Sequence, residues 1–243
     1  MGFEETPLTK AMNGLRQSKE YSDLSITCQE RTFQVHRAIV CPQMPFLKAA
    51  MRNNFKEAAA SHVDLPADDP DTIDRVFSWC YSGDYDSVNH GSTNWRPLEC
   101  PSSARSTALL HFRVYIAADK FGMIELRRLA IKKLKQAMCS NRNSPEHPEL
   151  VQQIWRLIPP HDNNGLRDAI VASVFGEGGC NIRAFQSKQG GKKVLENNPD
   201  FALRVLDKIC EVFVPVKKGP RSGAPRLVED LVSHFLIAQR SKA

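Results

Sequence analysis

The chain has 243 residues, 42% hydrophobic and 25% charged, with 33 Lys and Arg against 27 Asp and Glu for a formal charge of +6. That length suits one well-cored domain with an appended subdomain, and that balance excludes collagenous, wholly disordered and disulfide-stapled classes. The opening residues MGFEETPLTK lack a basic start followed by an apolar run, and no apolar stretch approaches the roughly 18 residues needed to cross a bilayer, so neither secretion nor membrane spanning is expected.

Leu8, Met12 and Leu15 fall at i, i+4 and i+7, which puts one apolar stripe on a short helix starting near Thr6-Pro7. Leu24, Ile26 and Cys28 alternate with polar neighbours, and Thr32 to Val35 repeats the alternation after the polar turn Gln29-Glu30-Arg31, which reads as a β-hairpin with one buried face. Between Arg37 and Met51 the apolar residues suit two short helices, broken or restarted by Pro42 and Pro45. A third strand is expected at His62–Leu65, then a helix opened by Asp69-Pro70 and closed by Ser82-Gly83, with Ile73, Val76, Phe77 and Cys80 on its apolar face.

Residues 86–107 have no sustained period and read as a polar insertion. Leu109–Phe121 and Ile124–Met138 then form a helical hairpin turned at Gly122. Beyond it, residues 140–214 carry three or four amphipathic stretches, including Leu150–Ile158, Leu166–Val174 and Phe201–Val212, with Pro199 in a first turn. PVKKGPRSGAP, 215–225, is a basic linker, and Leu227, Leu231 and Phe235 mark a last helix over 226–243. Residues 1–179 carry 21 basic and 21 acidic side chains, whereas 180–243 carry 12 and 6, so the basic excess is C-terminal.

Seven scattered cysteines, no two within ten residues, read as reduced core thiols, and no Asn-x-Ser/Thr sequon occurs; both favour cytoplasm or nucleus. The same scatter offers no metal site. Gly176-Glu-Gly-Gly179 and Gly190-Gly-Lys-Lys193 lack the spacing of a phosphate loop and read as loops. No catalytic group, cofactor site or metal ligand set is expected, so the chain is read as a non-enzyme.

The phrases YSDLSI, FQVHRAIV, FKEA and VDLPADDPDTIDRVFSWCYSGDY occur in the order found in the BTB/POZ family, which residues 21–139 resemble. NNPDFALRVL in the extension resembles the helical tail of fungal single-BTB proteins. The resemblance implies an α+β fold: a small antiparallel three-stranded sheet flanked by short helices over residues 1–139, followed by an all-helical extension. It implies protein–protein interaction, with homodimerisation through an N-terminal face for which Leu8, Met12 and Leu15 are the candidates. The alternative is that this helix caps its own core. It also implies a structural charged pair, Asp23 and Arg37, fourteen positions apart. Phe55-Lys-Glu57 matches the hydrophobic-x-Glu phrase of BTB domains that bind cullin scaffolds, so Phe55 and Glu57 are candidate partner contacts for a ubiquitin-ligase adaptor. His36 reads as a satisfied structural histidine. The reading from a different class is a chromatin or nucleic-acid-associated regulator using the basic C-terminal region, where binding would at most be nonspecific.

Overall fold

The computed structural model describes residues 6–52, 55–85, 104–158, 165–175 and 182–213. The chain divides into two compact units, Met1–Val205 and Leu206–Ala243. Of the second, residues 206–213 are described, and they are helical. The basic linker and last helix expected over 215–243 lie outside the described residues, as do positions 86–103 and 176–181.

Helix α1, Pro7–Ser18, starts where Thr6 accepts the Thr9 N–H at 3.1 Å and ends at Lys19 in the left-handed region. Strands β1 (Leu24–Cys28) and β2 (Arg31–Val35) form the hairpin, with Leu24 opposite Val35 and Cys28 opposite Arg31. Arg31 is therefore strand, and the turn is Gln29-Glu30, with Gln29 at φ 52°. The alternation buries Leu24, Ile26 and Cys28 with Phe33 and Val35 on the core face.

Helices α2 (Arg37–Gln43), α3 (Pro45–Ala50) and α4 (Lys56–Ala60) lead to β3, His62–Asp64. Pro42 sits inside α2, and the break falls at Met44, which is held extended by the ring of Pro45 behind it. The sheet order is β2-β1-β3, and β3 runs parallel to β1, with Ile26 opposite Val63. The sheet is thus mixed rather than wholly antiparallel. The helical crossover from β2 lets β3 enter on the far side of β1 in the same direction, which a tight turn does not allow.

Helix α5, Pro70–Ser82, has Pro70 in its first turn, Asp69 accepting the Thr72 N–H at 3.0 Å, and Gly83 at φ 76° beyond its end. Its Ile73, Val76, Phe77 and Cys80 are buried, and Phe77 meets Phe33 of β2 edge-on at 5.4 Å. Helices α6 (Ala104–Lys120) and α7 (Ile124–Ser140) form the hairpin around Gly122. Because α6 begins at Ala104, residues 104–107 are helix rather than insertion; burial of Ala108 and Phe112 one turn on outweighs the weak propensity of Ser106 and Thr107.

The extension contributes α8 (His147–Leu157), α9 (Leu166–Val174), α10 (Ile182–Ser187), α11 (Gly191–Asn197) and α12 (Pro199–Phe213). Gly191 to Lys193 are helical, correcting the expected loop there. Gly190 at φ 82° turns the chain, and a Cβ on Gly191 would run into the Phe185 carbonyl, so α11 packs closely enough on α10 to bury Val194. Trp155 and Phe201 stack edge-on at 4.9 Å in the core of this part, with Phe185 beside them. Helix α7 packs on α9 as well as α6, so contacts run continuously past residue 139.

Candidate protein-interaction surfaces

Helix α4 starts abruptly. Phe55 is its N-cap residue in extended conformation and supplies no side-chain cap, so its ring is left outside the helix and is 55% exposed. Glu57 lies in the first turn, where a carboxylate suits the positive end of the helix. Among the described residues it has no hydrogen-bond or ion-pair partner, so its charge is available to a binding partner. Both line an open groove of about 630 Å³ between α3, α4 and β3, which Phe46, Ala49, Ala50 and Ala60 make apolar and which Lys56, His62 and Asp64 edge with polar groups, His62 Nε2 lying 2.9 Å from the Asp64 carboxylate. The structure therefore brings Phe55 and Glu57 together on one rim.

Phe46 was legible only as an apolar helix residue. Pro45 opens α3 just before it and aims its ring along Phe121, at 5.5 Å, leaving it 39% exposed as the second aromatic wall of the groove. The Pro45-Phe46 pair marks only a helix start; that its ring stays exposed follows from the packing of α3 on Phe121 and carries no signal in the sequence.

The α1 stripe is divided. Leu8 is 73% exposed, Met12 and Leu15 are half-buried, and no residue of α1 is fully buried. The helix is held to α5 by charge instead. Arg16 binds the Asp74 carboxylate, and also donates to the Asp74 carbonyl at 2.9 Å and to Ser78 Oγ at 2.7 Å. Arg31 of β2 donates to the other Asp74 oxygen at 2.9 Å and to Asp71 at 3.1 Å. Burial pulls the Arg16 guanidinium below its usual range, with Asp74 opposing that shift. Tyr21, 84% exposed at φ 62°, adds an aromatic ring just beyond α1.

Asp23 and Arg37 meet, but not as an ion pair. Asp23 Oδ1 accepts the backbone N–H of Arg37 at 2.7 Å, closing one of the open donors at the start of α2. The Arg37 guanidinium turns instead to Met51 Sδ at 3.0 Å and the Ala58 carbonyl at 3.2 Å. The expected structural charged pair is therefore a helix cap, and the buried charge cluster is Arg16–Asp74–Arg31, which no fixed spacing announces. His36 donates from Nε2 to the Glu20 carbonyl at 2.6 Å; its Nδ1 accepts from the Tyr81 hydroxyl at 2.6 Å, and that oxygen accepts the His36 N–H at 3.0 Å. Every polar atom of that ring is satisfied, as a structural histidine requires. Burial pushes the Tyr81 hydroxyl up to about 12.

Burial likewise pushes the Cys80 thiol up to about 12 and, with Asp68 and Asp69 adding to it, Cys28 up to about 11, far from thiolate reactivity. Cys210 is exposed and so departs from the expected core placement. No group of His, Cys, Asp and Glu among the described residues could hold a metal, and no described helix is long and apolar enough to cross a membrane.

Residues 12–94 match the BTB/POZ domain family model. Kelch-like protein 38 of Homo sapiens is 32% identical over 77 residues, covering 32% of this chain and 13% of that protein. The Mus musculus protein is 28% identical over 115 residues, 47% of this chain and 18% of its own length; the Rattus norvegicus one is 30% identical over 91, covering 37% and 15%. The chain thus spans less than a fifth of the curated relatives it matches. The three-stranded sheet and the short helices around it fall within the residues that match the family model, so this part of the chain, 12–94, is a BTB/POZ domain, a protein-interaction module, and a helical extension follows it.

Proposed function

We propose that the chain is a non-catalytic adaptor that docks a cullin-type ligase scaffold through Phe55 and Glu57, working in the cytoplasm or nucleus. The observation that carries this reading is an aromatic ring more than half exposed beside a carboxylate with no partner among the described residues, on the rim of an apolar groove. Such a pair offers a desolvated anchor and a charge for a basic partner rim, the combination that concentrates binding energy. The test is retention of a cullin N-terminal domain by the full chain. Phe55→Ala should weaken it at least about tenfold, the loss typical of a hot-spot anchor. No retention by the wild type, or equal retention by Phe55→Ala, removes the ligase reading.

Self-association through α1 belongs to the same proposal. Leu8 lies 73% exposed on a helix with no fully buried residue, so a second copy could cover it. Light scattering of Leu8→Glu/Met12→Glu should report a monomer where the wild type is a dimer; a monomeric wild type ends this branch. The chromatin reading rests on the 12 basic against 6 acidic residues of 180–243. It requires DNA retention that falls steeply with salt and is lost on deleting 215–243.

A further inference from the structure

The backbone of β3 is used on one side only. Ser61 O accepts from Ser25 N–H at 3.0 Å, and Leu65 N–H donates to Thr27 O at 2.7 Å, so the odd-numbered residues of this segment turn their backbone groups toward β1. Since those groups alternate along a strand, the N–H and C=O of His62 and Asp64 face the opposite edge. β3 is the last strand of the sheet, and no partner for these four groups exists among the described residues. The edge opens into the groove walled by Phe46 and Phe55, which His62 and Asp64 themselves line.

We propose that this edge takes a short extended peptide of a partner protein by β-strand addition, with the peptide's backbone on His62 and Asp64 and alternate apolar side chains in the groove. Strand addition supplies main-chain hydrogen bonds for affinity and a side-chain pocket for selectivity, and both lie here within one strand's width. The Glu57 carboxylate, which has no partner among the described residues, favours a basic residue at one of the peptide's intervening positions, whereas the Asp64 carboxylate is already held by His62 Nε2 at 2.9 Å. A second copy of β3 fits poorly. Its Val63 is buried in its own core and its outer face carries only His62 and Asp64, so it brings no apolar side chain to the groove. The strand is short, and Pro66 follows it, which restrains open-ended edge pairing. The groove is the one whose rim the cullin reading uses, but the hydrogen bonds of the strand edge do not rest on that reading.

The test uses a random decapeptide library displayed on phage and selected against the full chain. Enriched sequences should alternate apolar and basic or polar residues. Asp64→Pro, read against Asp64→Asn as the control for the lost carboxylate, removes one outward N–H without touching the bonds to β1, a substitution an edge strand tolerates. It should weaken the enriched peptide at least about tenfold, as loss of a main-chain hydrogen bond at a desolvated site predicts. The same peptide N-methylated at alternate amides should weaken equally, a readout that survives if Asp64→Pro disturbs folding. No enrichment, or binding indifferent to N-methylation, overturns the proposal, as does an Asp64-dependent self-association without peptide binding. Asp64→Pro leaves Phe55 and Glu57 in place, so its effect on peptide and the effect of Phe55→Ala on cullin retention report separately.

Discussion

Replacing Asp74 by Asn tests what holds α1 to the domain. The Asp74 side chain is 5% exposed and accepts from two guanidiniums, Arg16 at 14% and Arg31 at 27% exposure. Asparagine keeps the shape but carries one acceptor oxygen, so it satisfies one arginine and turns an NH₂ toward the other. Stranding a buried charge costs about 3–5 kcal/mol, and the partial exposure of Arg31 places the expected loss near the low end, about 3 kcal/mol. Arg16→Ala removes the α1 anchor and its bonds to Ser78 and the Asp74 carbonyl as well. Urea denaturation of the two single variants and the double should give a coupling energy of about 1–3 kcal/mol, the range for residues sharing one network. High salt should leave most of it, because the carboxylate is shielded from solvent. A loss below about 1 kcal/mol for Asp74→Asn, in the range of surface pairs, would refute this account of α1 docking.

Tyr81→Phe should cost about 1–3 kcal/mol in denaturant midpoint analysis, because it orphans both the His36 N–H and its Nδ1 in a buried position. His147 is 1% exposed, and burial, with Lys188 and Arg142 nearby, pushes it down to about 4. The folded state therefore holds fewer protons than the unfolded chain between about pH 6.5 and 4, and stability present above that window should fall across it by about 3 kcal/mol; His147→Gln should flatten the profile. Gly191→Ala, whose Cβ meets the Phe185 carbonyl, should lower the thermal midpoint by far more than Gly83→Ala, whose new Cβ meets nothing and which costs about 1–2 kcal/mol for the left-handed backbone alone. Equal midpoints for the two glycine variants would sink that distinction.

Elements whose ends carry local chemistry were legible in the sequence: Thr6-Pro7, Asp69-Pro70 and Gly83 mark α1 and α5 because capping is decided within one turn of chain. The hairpin was legible for the same reason, since alternation is local. The direction of β3 was not, because three residues carry no trace of the crossover that orients them. Neither were α4, α10 and α11, which are too short to show a helical period and owe their shape to packing on neighbours. At the candidate surface, Phe55 and Glu57 could be found as a phrase, whereas Phe46 and the free edge of β3 exist only once the chain has folded. Asp23 and Arg37 show the limit of spacing: it brought two residues together without saying which atoms would touch.

The α1 face and the groove share no residue: one comprises Leu8, Met12 and Leu15, the other Phe46, Phe55 and the edge of β3. Covering one therefore removes no side chain from the other, so pairing through α1 would carry two grooves in one particle. A partner with two copies of its docking segment would then bind the pair more tightly than the single chain without any new contact, by effective concentration alone. Leu8→Glu/Met12→Glu separates these contributions: it should abolish the gain for a bivalent ligand and leave a monovalent peptide's affinity untouched. Loss of monovalent binding in that variant would mean that α1 and the groove are coupled, and that the independence argued from their residues is wrong.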